Sequence, residues 1–368
     1  MSSPLITVVL SVHNDERYLP FALRSIRAQT LSDWRMIAVD DGSTDRSSEI
    51  LDQTAREDSR VQVIHKPNTG MGDSLRVGLD QVETIYAARM DSDDLSKPTR
   101  LEACTSYLES NPDHVLVGTW AWLFLKEIGV FDAALYPDDD MILRSHLESG
   151  TNPVIHGSAA MRMSAYRQVV GYRPTLHNSN DLDLWLQLSE RGKIGMHTDF
   201  AYCYQISRSS LTYARRREQL LEAEVAVRLA RERRVYGREI TTIDRKRIAG
   251  INNTLRLARD GTANQFWYFS IGFIHWSAGF KDRACRAFAK AIGPNWIGMR
   301  ALWMIVQVMR GRCTTPMSNF KRIAENDGKQ TANLDPPYPW AWASEWLREM
   351  GIPQEPYILK NSTDGRIA

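Results

Sequence analysis

Short apolar runs rich in β-branched residues alternate with amphipathic segments over residues 5 to 120. Apolar runs of this length, bounded by polar and turn-forming residues, predict buried strands. The candidate strands are 6–12, 36–39, 61–64, 85–90 and 115–118. The segment 15–29, between the first two runs, places Leu19, Leu23 and Ile26 on one helical face. This alternation of strand and helix predicts a parallel sheet covered by helices.

The hydrophobic pattern changes twice after residue 120. Up to residue 210 the periodicity weakens and prolines and glycines are frequent, which predicts a loop-rich half that closes over the carboxyl ends of the strands. Residues 181–191 form the clear helix of this half. Beyond it the chain becomes arginine-rich and helical in pattern. We expect an α/β domain at 1–210, a helical region at 211–330, and a Pro- and Trp-rich tail at 331–368 that lies extended on the surface.

One stretch of the helical region has the residue spacing of a tetratricopeptide-type helix pair. The matching residues are Tyr268, Ile271, Gly272, His275, Ala284, Phe288 and Ala291. The pattern has no second copy about 34 residues to either side. The sequence therefore predicts one tetratricopeptide-like hairpin rather than a repeat array.

Composition narrows the choice of function. Of the 368 residues, 43% are hydrophobic, and the formal net charge is +2, which excludes a disordered chain and gives no basic field for nucleic acid. The four cysteines form no Cys-x-x-Cys pair, which argues against a zinc site or a disulfide scaffold. Neither the N-terminus nor the apolar stretch 266–280 predicts a membrane span. We expect a cytoplasmic protein that does not bind nucleic acid.

Acidic residues cluster where the predicted strands end. The clusters are Asp40 with Asp41, then Asp91, Asp93 and Asp94, then Asp181 with Asp183. Open α/β sheets bind ligands at this edge. Several carboxylates in one crevice repel each other unless a cation or a basic ligand lies between them. Carboxylate oxygens are the ligands that Mg²⁺ and Mn²⁺ prefer, and an Asp-x-Asp pair can hold such an ion together with substrate phosphates.

Six stretches of the chain follow the order that they have in one enzyme family. They are VVLSVHNDERYLPFALRSIRAQTLSDW, IAVDDGSTDRS, NTGMGDSLRVGL, ARMDSDDLSKPTRLE, NPVIHGSAAMR with VVGYRP, and NDLDLWLQLSERG. On these motifs the chain resembles the inverting family 2 glycosyltransferases of the GT-A fold over about residues 5 to 205. The resemblance implies an α/β fold with a mostly parallel sheet flanked by helices, with 1–210 as the catalytic domain, followed here by a C-terminal α-helical region.

The resemblance also assigns the donor site. It implies that the nucleotide base and ribose are held by Ser11, His13, Glu16 and Asp40. Asp91 faces the ribose, and Asp93 ligates the Mn²⁺ or Mg²⁺ ion that bridges the diphosphate of a nucleotide-sugar donor. Arg89 and Asp94 line the same pocket. The charge of the cation stabilises the nucleoside diphosphate as it leaves, while the anomeric carbon gains oxocarbenium character.

The acceptor side follows from the same resemblance. Asp181 is the base that takes the proton of the acceptor hydroxyl on the opposite face of the sugar, and Asn180 stands where the family usually has Glu. His156 aligns with a histidine near the acceptor or the diphosphate. The Gln-x-x-Arg-Trp element of processive synthases is absent, since residues 204–209 read YQISRS. We expect a non-processive enzyme that transfers one sugar to a glycan or lipid-linked glycan acceptor in cell-surface polysaccharide synthesis.

Each feature also has a simpler interpretation. Asp40 and Asp41 could form a helix cap and turn, residues 91–94 a solvated loop, Asp181 an N-cap, and His156 a core histidine. A non-catalytic nucleotide-binding scaffold of the same fold is the alternative function, and the complete set of acids argues against it. A receiver-like signalling domain also opens with an Asp-Asp pair, but it is much shorter and lacks the 91–94 cluster.

The arginine-rich stretch from 215 to 247 has two interpretations. Its arginines could pair at i,i+4 spacing with glutamates on a solvated helix face. They could also contact anionic lipid headgroups and bring the enzyme to a membrane-bound acceptor. The candidate partners are Glu218, Glu222, Glu224 and Glu232. We favour the helix face and keep peripheral contact with the inner face of an anionic membrane as a hypothesis.

Overall fold

The computed structural model of the protein describes residues 4–125, 129–206, 216–241, 281–292, 304–305 and 341–352. The strands are β1 (Ile6–Val12), β2 (Trp34–Asp41), β3 (Val61–Lys66), β4 (Tyr86–Asp91), β5 (Leu95–Ser96), β6 (His114–Leu125), β7 (Gly129–Ala134), β8 (Ala160–Arg162) and β9 (Lys193–Gln205). The helices are α1 (Leu19–Arg27), α2 (Ser47–Glu57), α3 (Met71–Asp80), α4 (Arg100–Ser110), α5 (Asp140–Glu148), α6 (Met163–Tyr166), α7 (Asn180–Ser189), α8 (Arg216–Tyr236), α9 (Lys281–Lys290) and α10 (Ala341–Glu349). A 3₁₀ turn spans His156–Ser158.

All these strands belong to one sheet in the order β3-β2-β1-β4-β8-β6-β9-β5, with β7 paired to β6. The first four are parallel, as the sequence predicts. Strands β5, β7 and β8 add antiparallel pairs, and β6 runs on to Leu125, well beyond the predicted strand. The α/β class with a C-terminal helical region is confirmed, and the sheet is mixed in its second half.

Helices cover both faces of the sheet, because successive side chains of a strand point to opposite faces and are buried on both. One core contains Val8, Leu10 and the apolar face of α1, and the opposite core contains Val9 and Val39 with α3 and α7. Pro20 in the first turn of α1 needs no N–H partner there, and the helix begins at Leu19 because residues 15–18 form a turn.

A glycine lets α3 approach the sheet closely. A side chain at Gly78 would lie 2.6 Å from a Val9 methyl carbon and 3.2 Å from a Val39 methyl carbon. The missing side chain therefore sets the height of α3 above β1 and β2. In this position the first residue of the helix, Met71, reaches the cavity described below.

The tail is not extended throughout. Residues 341–349 form α10. Ala343 and Leu347 of this helix, and Met350 directly after it, are buried against Trp122 and neighbouring apolar residues of the sheet. The predicted extended conformation is wrong for this segment. Of the predicted tetratricopeptide-like hairpin, α9 lies among the described residues, with Phe288 buried, and its partner segment lies outside them.

Helix α8 packs against α7 and carries much of the arginine-rich stretch. Arg228 pairs with Glu232 at 3.3 Å, and Arg233 reaches Glu190 at 2.8 Å and Glu239 at 2.6 Å. The pair Arg228–Glu232 has the i,i+4 spacing of the helix-face interpretation. Arg233 instead pairs with glutamates outside α8, and the predicted partner Glu222 is buried and accepts hydrogen bonds from Asn178. None of the described helices is both long enough and apolar enough to span a bilayer.

Candidate active site

A cavity of about 530 Å³ opens at the carboxyl end of β4. Its lining brings together side chains from distant parts of the chain: Asp91, Asp93, His156, Asn180 and Asp181. Gln219, Leu220 and Ala223 of α8 form one wall. Three of the carboxylates predicted from the sequence therefore share one cavity.

Asp91 is paired with a buried cation. The guanidinium of Arg89, which is 2% exposed, donates a hydrogen bond of 2.6 Å to the Asp91 carboxylate. The Asp91 backbone N–H donates to the hydroxyl of Tyr202 at 3.2 Å. These contacts fix the first acid of the Asp-x-Asp pair at the end of β4.

Asp93 has no such cation. It lines the cavity half-buried, and no basic side chain of the described chain forms an ion pair with it. Burial, and next the charges of Asp15 and Asp91, raise the pKa of Asp93 well above its usual range. Its environment therefore disfavours the charged form.

Asp15 is an acid that the sequence interpretation did not assign. Its carboxylate accepts a hydrogen bond from the hydroxyl of Ser92, inside the Asp-x-Asp motif. Burial, only partly opposed by that hydrogen bond, raises the pKa of Asp15 to about 6. The signal was its position next to Glu16 after the first strand, but nothing in the sequence showed which of the two acids would turn toward Ser92.

Asp94 is not among the residues that line the cavity, although the resemblance implies that it lines the donor pocket. It is fully buried, and one carboxylate oxygen accepts a hydrogen bond of 2.7 Å from the backbone N–H of Gln205. Burial, with the charges of Asp93 and Asp91, raises the pKa of Asp94 well above its usual range. Asp94 thus ties the acidic turn to the end of β9.

A buried arginine joins the acidic turn to the His156 turn. Arg100 is fully buried at the start of α4 and donates hydrogen bonds of 3.0 Å to the carbonyls of Arg89 and Gly157. The Arg-Leu of the PTRLE motif contains this residue. Arg100 therefore holds two walls of the cavity together.

Asp181 lies at the opening of α7, as predicted. Its carboxylate accepts hydrogen bonds from the side-chain amide of Asn152 at 2.7 Å and from the Leu182 backbone N–H at 2.8 Å. Burial raises the pKa of Asp181 despite these hydrogen bonds. Asn152, which no sequence argument singled out, orients the carboxylate. Asp183 points elsewhere, into a buried ion pair of 2.8 Å with Arg173.

His156 shares the cavity with Asp181. Its Nε2 lies 2.6 Å from the hydroxyl of Tyr172 and 3.4 Å from Nε of Arg89. Burial and then the charge of Arg89 lower the pKa of His156 well below its usual range. His156 is therefore neutral, and Tyr172 is a second residue that the sequence interpretation missed.

The predicted base and ribose residues lie at the ends of β1 and β2, outside the lining of the cavity. Ser11 is in register with Val39 on one side and Asp91 on the other. His13 bonds through Nδ1 to the Asp41 carbonyl at 3.0 Å, and Glu16 accepts from the Arg46 backbone N–H at 3.0 Å. Their predicted roles remain predictions.

Asp40 is saturated with hydrogen-bond donors. It accepts from the Ser43 backbone N–H at 3.0 Å, the Ser48 hydroxyl at 2.6 Å and His65 at 2.9 Å. Although burial alone would raise it, these hydrogen bonds lower the pKa of Asp40 to about 2. Asp41 is held likewise by the backbone N–H groups of Thr69 and Gly70.

The carboxylates of the cavity provide only part of the ligand set that a divalent cation needs. Within the described ranges, no three His, Cys, Asp or Glu side chains are arranged to hold a metal ion. Asp93 nevertheless offers hard oxygen ligands, lacks a cationic partner there, and carries a raised pKa that a cation would lower. Such ions commonly take one or two carboxylates and complete their shell with substrate phosphates. Asp93 could therefore hold Mg²⁺ or Mn²⁺ together with a diphosphate, but the described side chains alone do not form a complete set of metal ligands.

The mixed sheet and the acid-lined cavity at its carboxyl edge are typical of α/β proteins that bind ligands at this edge of the sheet. The sequence model of glycosyl transferase family 2 matches residues 7–170. The chain is 35% identical over 219 residues to the putative glycosyltransferase EpsE of Bacillus subtilis (strain 168), covering 58% of this chain and 77% of that relative. The protein therefore belongs to glycosyl transferase family 2, as its motifs predict.

Solved structures agree on the fold. S. aureus TarS 1–349 in complex with UDP superposes with a TM-score of 0.52 and 15% identity, covering 84% of this chain and 93% of that one. The mannosyltransferase PcManGT from Pyrobaculum calidifontis, in complex with GDP-Man and Mn²⁺, superposes with a TM-score of 0.51 and 15% identity, covering 84% of this chain and 81% of that one. At this identity the likeness shows the fold alone, which is GT-A.

Proposed function

We propose that this glycosyltransferase is metal-dependent, inverting and non-processive. It transfers a sugar from a nucleotide-sugar donor to a glycan or lipid-linked glycan acceptor, in cell-surface polysaccharide synthesis. The observation that carries the proposal is the single cavity that holds Asp91 and Asp93 together with Asp181. A donor and an acceptor could meet between these carboxylates.

The donor diphosphate belongs beside the Asp-x-Asp pair. Asp93, with Asp91 next to it, would hold Mn²⁺ or Mg²⁺, which supplies positive charge for the departing nucleoside diphosphate. The structural neighbours with UDP and with GDP-Man and Mn²⁺ support this choice of ligands. Ser11, His13, Glu16 and Asp40 would place the base and ribose at the ends of β1 and β2.

Asp181 is the proposed general base. Burial raises its pKa, which makes the carboxylate a stronger proton acceptor than an exposed aspartate. The hydrogen bond from Asn152 aims the carboxylate and leaves it able to meet an acceptor hydroxyl. Attack from this side, opposite the leaving diphosphate, would invert the anomeric centre.

The cellular setting is also a proposal. We place the enzyme in the cytoplasm, with 1–210 as catalytic domain, 211–330 as helical region and 331–368 as tail. Peripheral contact with anionic membrane has weaker support, because Arg233 and Arg234 form ion pairs within the protein. Arg231 of α8 is exposed, and Arg228 is exposed although it pairs with Glu232, so these two side chains would have to provide such a contact.

The test is turnover of a panel of nucleotide sugars with Mg²⁺ or Mn²⁺, followed by NMR of the anomeric configuration of the product. We expect inversion and a fall in kcat of about 10²- to 10⁴-fold in Asp181→Asn, with donor binding nearly unchanged. Asp199→Asn, a half-exposed aspartate paired with Lys97, is the matched control. Retention of configuration or full activity of Asp181→Asn would refute the assignment. Nucleotide binding without turnover would favour the scaffold alternative.

A further inference from the structure

Two side chains converge on one ring nitrogen of His156. Nε2 lies 2.6 Å from the Tyr172 hydroxyl oxygen and 3.4 Å from Nε of Arg89. Tyr172 and Arg89 are each 2% exposed, so water does not compete for these contacts. Trp185 packs against the imidazole edge-on, with ring centroids 6.0 Å apart. The orientation of the ring is therefore fixed by its surroundings.

The partners determine where the imidazole proton resides. A guanidinium has only donors, so the atom that Arg89 Nε contacts must accept. Tyr172 can donate its hydroxyl proton to the same lone pair. Nε2 of His156 therefore carries no proton, and a neutral imidazole has its single proton on the other nitrogen, Nδ1.

Nδ1 is the side of the ring left for a ligand. No residue of the described chain forms a hydrogen bond with Nδ1, and His156 lines the cavity together with Asp93 and Asp181. The carboxylates there repel an anion, whereas an N–H group attracts one. The Nδ1–H group thus offers a ligand a neutral donor in the cavity that also contains Asp93 and Asp181.

We infer that Tyr172 and Arg89 hold His156 with its proton on Nδ1, and that this N–H donates a hydrogen bond to a phosphate oxygen of the bound nucleoside diphosphate. The inference rests on the proposed function. Tyr172 is a positioning residue, since it acts through His156. No proton is transferred, and because Nε2 is occupied, His156 cannot take the acceptor proton, which leaves that role to Asp181.

The position of the proton is measurable without any glycosyl transfer. Long-range ¹H–¹⁵N NMR of the full chain labelled with ¹⁵N-histidine, with the signal assigned by its loss in His156→Asn, should show the Nδ1–H form in the wild type. Tyr172→Phe should shift the Nε2 resonance, because it removes the shorter of the two hydrogen bonds to that nitrogen, while Arg89 keeps the proton on Nδ1. Tyr166→Phe, a nearby buried tyrosine, should leave the signal unchanged. An Nε2–H wild type, or a Tyr172→Phe spectrum like that of Tyr166→Phe, would overturn the inference.

The proposed hydrogen bond from His156 to a phosphate oxygen is tested by calorimetry with UDP and GDP in the presence of Mg²⁺. His156→Leu should weaken binding by about 10- to 100-fold, the usual effect of losing a hydrogen bond to a charged group. His156→Asn, which keeps an N–H donor close to the place of Nδ1, should recover part of that loss. Equal binding by wild type and His156→Leu would overturn the contact with phosphate. Absence of nucleotide binding in the wild type would refute the proposed function, while the NMR result on the proton would stand.

Discussion

Two groups of aspartates lie along the same edge of the sheet and have opposite electrostatics. At the end of β2, Asp40 receives three hydrogen bonds from the protein, and its pKa falls to about 2. In the cavity at the end of β4, burial and neighbouring acids raise the pKa of Asp93 well above its usual range. The chain supplies its own donors to the first group. In the second group Asp93 forms no ion pair with a basic side chain of the described chain, whereas its neighbour Asp91 is paired with Arg89.

The largest expected effect is a loss of turnover on replacement of Asp93 in the cavity. Asp93→Asn removes the negative charge that would bind the cation, so we expect turnover to fall by about 100-fold or more. Steady-state kinetics over a titration of Mn²⁺ would measure it. Asp80→Asn, an exposed aspartate at the end of α3, is the control. Metal-dependent activity that Asp93→Asn leaves intact would contradict the assignment of Asp93.

A smaller effect, measured on folding, should follow from the other group. Asp40→Asn loses charge-assisted hydrogen bonds and should lower the free energy of unfolding by about 1–3 kcal/mol. Because the pKa of Asp40 is about 2 in the fold and 3.8 for an unperturbed aspartate, the stabilisation is complete above about pH 5 and disappears as pH falls toward 2. Asp93→Asn, which relieves repulsion, should not destabilise the ligand-free protein.

Urea denaturation of the two variants at pH 7 and at about pH 3 would compare them directly. If Asp40→Asn were as stable as wild type at pH 7, its hydrogen bonds would contribute little and the contrast between the two groups would disappear. A destabilised Asp93→Asn variant would also remove the contrast, because the charged Asp93 would then stabilise the ligand-free protein as Asp40 does.

The sequence predicted the strands and the edge where the acids meet, because period and motif order are local properties. Parallel pairing of β1, β2 and β4 then places Asp40 and Asp91 at one edge whatever the loops do. The placement of Asp181 in the same cavity as Asp91 and Asp93 agrees with the motif order.

The partners of these residues could not be predicted in the same way. Asn152 and Tyr172 come from loops, and they reach Asp181 and His156 only because β8 and β9 bring the second half of the chain against β6. No periodic pattern records such contacts. Whether a carboxylate would be saturated, like Asp40, or left without a cation, like Asp93, likewise depends on these tertiary contacts.

The tail shows a different failure. Its prolines and tryptophans favoured an extended segment, but Ala343, Leu347 and Met350 have i, i+4, i+7 spacing and form the buried side of α10. The helical spacing covers only a short span, and the prolines and tryptophans around it led to the prediction of an extended segment.

Binding of Mn²⁺ with and without a nucleoside diphosphate, followed by electron paramagnetic resonance, tests the central claim most directly. We expect weak binding of Mn²⁺ alone and much tighter binding when UDP or GDP is present, with the gain lost in Asp93→Asn and kept in the control variant Asp80→Asn. Nucleotide binding that does not change the affinity for Mn²⁺, or a gain that persists in Asp93→Asn, would contradict an acidic cavity that donor and cation complete together.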